Sequence, residues 1–335
     1  MKNFKSLLKK DLIDWLLEPD NPSVRYFTLR DILGRPETDP EVKKAREGIT
    51  KAGPAQKILK NQKPEGNWGP PENFYVGAKY KGTVWNIIYL ASLGADKKDA
   101  RVKKAAEFIL KYSQDRESGG FAYRGGKNGG QHCAVIPCLT GNMVWSLIRF
   151  GFLGDRRVQR GIRWITEYQR FDDGVEKAPK GWPYEQEHCW GRHTCHMGAV
   201  KALKALAEIP AEKRNAGVRR TIEEGAEYLL KHHIFRQSHN LKKIVKPFWL
   251  RFSFPLMWNI DCLEMTGILA KLGFRDKRMD EAVDLIISKQ DENGRWDNEN
   301  TYLSDRLRAK PEPDRRPSKW VTLNALKALE EFYSE

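Results

Sequence analysis

The sequence predicts an all-α protein of about six helix pairs, and three observations carry that prediction. First, apolar residues recur at helical spacing along most of the chain, and strict alternation never survives beyond a few residues. Second, one short pattern returns four times: Ala105-Ala106-Glu107-Phe108, Gly161-Ile162-Arg163-Trp164, Gly225-Ala226-Glu227-Tyr228 and Ala282-Val283-Asp284-Leu285, with starts that differ by 56, 64 and 57 residues. A recurring period of this kind marks a repeat architecture. Third, four turns begin with Gln: Gln62–Trp68, Gln114–Tyr123, Gln169–Gly174 and Gln290–Trp296. In each, Gly supplies positive φ, and Gln can reach the carbonyls a helix end leaves unpaired.

Taken in order, Ser6–Leu17 is a short amphipathic start. Asn21-Pro22-Ser23 opens a helix with Tyr26, Leu29, Ile32 and Leu33 on one face, and Gly34 stops it. Pro40–Gln62 holds further helical material broken near Gly53-Pro54. The four repeats then supply outer helices, whose small residue lets a neighbour come close. Between them lie more apolar segments, Gly82–Gly94, Gly141–Gly154, His193–Pro210, Asn259–Gly273 and Ser318–Phe332, with small residues on several faces, as buried helices have. A fifth turn, after Leu230, reads KHHIFRQSH and has lost the pattern. Ala309–Pro317 is a charged, Pro-rich loop. The chain is therefore expected to form one domain over 1–335, less regular over 1–54 and repetitive over 55–335.

Composition narrows the function. The 335 residues include 59 basic and 44 acidic side chains, a net charge of +15, and 11 Trp. Such a balance favours anionic partners. The basic residues are spread without an arm or long run, so a solvated surface is expected, not a nucleic-acid interface. Asp11 and Asp14 interrupt the apolar start, and no stretch approaches the ~20 apolar residues that cross a bilayer. Five cysteines at irregular spacing are not a disulfide framework. A reduced, cytoplasmic protein is the expectation, and no nucleotide cofactor is expected.

Eight of the twelve cysteines and histidines fall between Gln131 and His196: His132, Cys133, Cys138, His188, Cys189, His193, Cys195 and His196. They form two clusters, each just before or at the start of an apolar helix. Loops entering neighbouring helices could bring thiols and imidazoles to one rim, where they would suit zinc or an iron–sulfur cluster. The alternative is that each is a small buried thiol or a hydrogen-bonding imidazole. Both remain open at the level of sequence.

The turns Gln62-Lys63-Pro64-Glu65-Gly66-Asn67-Trp68 and Gln290-Asp291-Glu292-Asn293-Gly294-Arg295-Trp296 resemble those of the terpenoid cyclase and protein prenyltransferase superfamily, from about residue 55 to the end. More narrowly, the chain looks like the prokaryotic prenyltransferase and squalene-oxidase repeat proteins. The resemblance implies an α/α toroid, six inner helices ringed by six outer ones, with a cavity for an isoprenoid or other apolar ligand. It does not extend to the active motifs. D-x-D-D and D-D-x-x-D are absent, and Asp261-Cys262-Leu263-Glu264 only faintly resembles the cyclase D-C-T-A-E. His193-Thr194-Cys195-His196 looks like the H-T-C-Y of the prenyltransferases but precedes the Asp–Cys element instead of following it.

Single residues carry two readings each. Asp261 either caps an apolar helix or serves as a buried general acid. Trp85, Trp145, Trp190, Trp258 and Trp320 either pack a core or line a cavity with π faces for an apolar chain. Lys242–Trp258 interleaves four basic residues with five aromatics. It is either a packed insertion or a surface that meets an anionic membrane. The rival to a ligand-binding toroid is a non-catalytic helical scaffold that binds a protein.

Overall fold

The computed structural model describes residues 4–75, 80–174, 180, 182–184, 186–190, 194–300, 306–312 and 316–334. Among them lie fourteen α-helices. They are α1 (Ile13–Leu16), α2 (Pro22–Phe27), α3 (Pro40–Ile49), α4 (Gly53–Lys60), α5 (Thr83–Ser92), α6 (Ala100–Tyr112) and α7 (Pro137–Arg149). There follow α8 (Arg156–Tyr168), α9 (Glu187–Trp190), α10 (His196–Leu206), α11 (Ala216–Lys231), α12 (Cys262–Lys271), α13 (Asp280–Ser288) and α14 (Lys319–Tyr333). Two small antiparallel hairpins complete the description: β1 (Gly125–Gly126) with β2 (Gly129–Gly130), and β3 (Arg236–Gln237) with β4 (Asn240–Ile244). The expected all-α class is met. No helix among the described residues is long and apolar enough to cross a membrane.

The helix starts follow from local chemistry. Asn21, Asp39, Asp99, Asp155, Asp261 and Ser318 each accept a backbone N–H of the turn they cap. Pro22, Pro40 and Pro137 occupy first-turn positions, where a missing N–H costs nothing. Pro137 therefore starts α7 four residues before the expected Gly141. The expected Ser6–Leu17 helix is instead a 3₁₀ turn, Phe4–Leu7, and the short α1, because the Asp11 carboxylate accepts the N–H of Ile13 and restarts the chain there. In the degenerate fifth turn no glycine is present, and His233 and Ile234 take φ of 41° and 71°. That backbone is strained for an L side chain, above all a β-branched one.

The chain divides into two compact units: residues 58–228 with 257–259, and residues 1–57, 229–256 and 260–335. In the first, α5, α7 and α10 lie side by side, with α6 on α5 and α8 on α7. Residues 83–91 and 137–148 are buried throughout, whereas α8 buries only one face, on Val158, Gly161, Ile162, Trp164 and Ile165. Helices α7 and α10 run parallel at very close approach. A Cβ on Gly141 would stand 2.5 Å from the Lys201 carbonyl carbon, and one on Gly198 would stand 2.8 Å from Pro137. The small residues of the repeat do the same on the outer helices: a Cβ on Gly161 would meet Val144 at 2.7 Å.

In the second unit, α12 packs on α14, α13 on α12, and α2 with the π-helical turn Thr28–Ile32 on α14. Asp31 of that turn pairs with both Arg30 and Lys327.

Two of the Gln-led turns, both in the first unit, share a glutamine contact, and three of them share a threonine contact. The Gln62 amide donates to the carbonyls of Gly66 (3.0 Å) and Arg101 (2.8 Å), and Gln114 to those of Gly119 (2.9 Å) and Arg157 (2.7 Å). The closing aromatic gives its backbone N–H to a threonine in the first turn of an apolar helix: Trp68 to Thr83 (3.0 Å), Phe121 to Thr140 (2.9 Å) and Trp296 to Thr322 (3.0 Å). The indoles of Trp68 and Trp296 donate to carbonyls ten residues back, on Ile58 and Ile286.

Candidate functional site

The first unit gathers aromatic rings and thiols around the starts of α5, α7 and α10. Trp85 stands near the start of α5, 1% exposed, and its indole donates to the Tyr75 carbonyl at 3.0 Å. The Trp85 ring lies 4.9 Å from that of Tyr75 and 5.2 Å from that of Tyr80. The Trp258 indole donates to the Tyr80 hydroxyl at 2.7 Å. Tyr75 also meets Tyr123 at 6.2 Å, and the Gln186 amide donates to the Tyr123 hydroxyl.

Three thiols adjoin this wall. Burial raises the Tyr75 phenol far above its ordinary value, and the thiols of Cys138, Cys189 and Cys195 add to the rise. Cys138 is the second residue of α7. Burial pushes its thiol up to about 12, with Cys195 reinforcing the shift. Cys189 is raised chiefly by a hydrogen bond with the Cys195 side chain and then by burial. Cys195 caps α10. A helix start favours a thiolate, but at Cys138 loss of solvent outweighs it. At neutral pH, Cys138 and Cys189 are neutral, polarizable and apolar. The next residue, His196, receives or gives a hydrogen bond with the Tyr228 hydroxyl at 2.8 Å, and burial raises that phenol too.

The other candidate ligands are placed differently. His132 is held through Nδ1 by Asp115 at 2.8 Å, and the Asp115 carboxylate also accepts from Ser118. Cys133 is exposed, and so is His188. His193 lies outside the described residues. All five cysteines are thiols. Among the described residues no group of three or more Cys, His, Asp or Glu is arranged to hold a metal ion.

The remaining tryptophans do different work. Trp190 is buried in a knot of rings, stacked on Tyr184 at 5.2 Å and edge-on to Trp164 at 5.8 Å. Trp145 lies seven residues beyond Cys138, about 10 Å along α7. The Lys204 ammonium sits 3.9 Å from its ring centre and the Arg149 guanidinium 5.5 Å away, so cations already occupy its π system. In the other unit, Trp320 is stacked face to face on Phe254 at 4.1 Å and edge-on to Phe27 at 6.1 Å. Asp261, also in that unit, caps α12: one oxygen accepts the Glu264 N–H at 2.7 Å, the other the Ser253 N–H at 3.1 Å.

A half-open cleft of about 490 Å³ borders α6 and α8. Its lining includes Glu107, Lys111, Asp115, Arg116, Arg157 and Arg160, and Arg157 is doubly bonded to Glu107 at 2.7 and 3.0 Å. These paired charges do not suit an apolar chain. The residues that sequence reasoning missed are Tyr75, Tyr80, Tyr123, Gln186 and Tyr228. Four of these stand in irregular segments and one on an outer helix; Tyr123 ends a Gln-led turn and Tyr228 belongs to the repeat, but neither pattern marks a site.

No protein-family model matches the sequence, and no curated protein matches it. Among solved structures the chain is similar to a sugar epimerase from a ruminal bacterium, with 14% identity over 77% of this chain and 74% of that one and a TM-score of 0.47. It is also similar to a family 76 glycoside hydrolase from a bovine Bacteroides thetaiotaomicron strain (11%, 73% and 54%, TM-score 0.42). A third is the type II terpene cyclase MstE from Scytonema, solved with geranylgeranyl dihydroxybenzoate (13%, 85% and 96%, TM-score 0.33). These are distant likenesses, to α/α toroid proteins of three different activities.

Proposed function

We propose that the protein binds an isoprenoid or other apolar small molecule against the aromatic wall of Tyr75, Tyr80, Trp85 and Trp258. The observation that carries this reading is that the wall spends its polar atoms internally. The Trp85 indole is satisfied by a carbonyl and the Trp258 indole by the Tyr80 hydroxyl. Trp85 and Tyr80 are buried and back the wall, so the half-buried rings of Tyr75 and Trp258, with neutral thiols beside them, are what it offers a ligand, and these suit a hydrocarbon chain. The net charge of +15 suits an anionic head group on that chain. The test is thermal melting with farnesol, geranylgeranyl diphosphate and squalene. A ligand at a hundred times its dissociation constant adds about 2.7 kcal/mol, and Trp85→Ala abolishes the gain. No shift with any of them, together with capture of a protein partner, supports the scaffold instead.

A second surface supports contact with an anionic membrane. The β3–β4 hairpin presents Leu241, 43% exposed, beside exposed Lys242 and Lys243. An apolar tip among lysines suits an interface rich in anionic head groups. Co-sedimentation with phosphatidylserine vesicles, lost in Leu241→Asp/Lys242→Glu, is the expected result; equal recovery with neutral vesicles counts against it.

A further inference from the structure

We propose that the cleft bordered by α6 and α8 binds a small phosphorylated polyhydroxy molecule, a sugar phosphate in class, with its phosphate on Lys111, Arg116 and Arg160. Four cations line the cleft, and one of them, Arg157, is spent on Glu107 and Asp155. The other three meet no carboxylate among the described residues. The Lys111 ammonium lies 5.4 Å from the Tyr112 ring centre. The Arg116 guanidinium donates to the Lys127 carbonyl at 3.4 Å, and the Arg160 guanidinium to the carbonyls of Arg116 and Glu117, the latter at 3.1 Å. Neutral carbonyls hold these two guanidiniums in place without cancelling their charge. The N–H groups that remain suit phosphate oxygens, which a guanidinium takes in pairs.

The acids of the lining leave room for an anion. Glu107 is paired with Arg157. Asp115 is buried, and its carboxylate is engaged by the hydroxyl and N–H of Ser118, at 2.6 and 2.9 Å, and by His132 at 2.8 Å. Glu65 is exposed and free of a cation among the described residues, so it stands as an acceptor for the hydroxyl groups of the ligand. The half-buried Tyr112 ring, backed by Phe108 at 4.3 Å, adds apolar surface beside the cations for the C–H groups of a sugar. The volume of about 490 Å³ is far more than one phosphate fills and falls within the range of small-molecule sites. None of these residues belongs to the aromatic wall, so the inference stands apart from the function proposed for it.

The experiment is calorimetric titration of the purified full chain at low salt with glucose 6-phosphate, glucose and inorganic phosphate. The expected order is glucose 6-phosphate tightest, inorganic phosphate weaker and glucose unbound, with added salt weakening both phosphates. Lys111 and Arg116 are exposed, so Lys111→Gln and Arg116→Gln should fold as wild type does. Each should weaken glucose 6-phosphate by about tenfold, the loss of one charge-assisted hydrogen bond. Glu65→Gln removes a like charge and should tighten inorganic phosphate. The net charge of +15 attracts any anion, so Lys213→Gln, in the 3₁₀ turn Ala211–Lys213 outside the lining, is the control and should change nothing. Equal weakening in Lys213→Gln would reduce the effect to general charge and overturn the proposal. So would unchanged affinity in the Lys111→Gln/Arg116→Gln double variant, glucose binding as well as its phosphate, inorganic phosphate binding as well as the ester, or no binding of either phosphate.

Discussion

Asp31 shows how one side chain can set the acid limit of stability. Burial alone would raise its carboxyl, but Lys327 and Arg30 more than offset this and hold it well below the usual carboxylate range. A depressed folded-state pKa contributes stability that is present above the unfolded value of about 3.9 and lost as pH falls through the folded one. Asp31→Asn keeps the shape and leaves two partly buried cations without their partner, so it should cost about 2 kcal/mol at pH 7. The loss should shrink steadily as pH falls below about 4 toward the lowered folded-state value, and chemical denaturation at pH 7 and pH 2.5 checks both. Asp261 was legible in sequence as a residue at the head of an apolar helix, but its partners were not. Both oxygens are taken by backbone N–H groups, one of them from Ser253 in a loop that no periodicity locates. Asp261→Ala should therefore cost about 1–2 kcal/mol as a lost cap. A fall in melting temperature with ligand affinity unchanged is the signature of that role.

At the scale of elements, the repeat pattern located the helices because it is local: small residue, charge and bulky apolar residues are all set within one turn. What it did not locate is the pairing between turns and the apolar helices that follow them. Thr83, Thr140 and Thr322 accept the backbone N–H of Trp68, Phe121 and Trp296 from 15, 19 and 26 residues away. No fixed spacing betrays such a bond. Thr140→Val preserves volume but leaves a buried N–H unpaired, and should cost about 1–3 kcal/mol, read from urea midpoints. Thr322→Val should do the same in the other unit. The α7–α10 contact makes a sharper demand. A Cβ at Gly141 would penetrate the backbone of Lys201, which cannot swing aside, so Gly141→Ala should destabilise by about 1–3 kcal/mol despite the better helix propensity of alanine. A variant more stable than wild type would mean the helices separate freely. The thiol cluster was half legible: sequence placed four cysteines at two helix starts, but only the folded surroundings decide that Cys138 is buried, Cys189 and Cys195 half-buried and Cys133 exposed.

For the molecule as a whole, lowered and raised groups occur in both units: Asp115 and Asp155 are lowered in the unit with the thiols, and burial raises Cys262 and Tyr26 in the unit that holds α12 and α14. Asp31 and its cations belong to the unit that holds α12 and α14, and they govern its acid side. The other unit holds Tyr75, Cys138, Cys189 and Tyr228, and every one of these is raised, three of them chiefly by burial. A raised folded-state pKa works in the opposite sense from Asp31. Its stability is fully present below the unfolded value, about 8.5 for a thiol and 10 for a phenol, and is lost as pH rises toward the folded one. Each group then withdraws about 1.4 kcal/mol per pH unit, so Cys138 alone should cost about 2 kcal/mol by pH 10. Both units should therefore lose stability in alkali, the one with the thiols and aromatic wall through Tyr75, Cys138, Cys189 and Tyr228 and the other through groups that include Cys262. A scan from pH 8 to 11, following melting temperature and tyrosinate absorbance together, should show stability falling before the buried phenols ionise. Cys138→Ala removes one titrating group and should flatten the fall above pH 8.5 while lowering stability at pH 7. An identical pH slope in Cys138→Ala and wild type would mean that the thiol already reaches solvent in the folded protein.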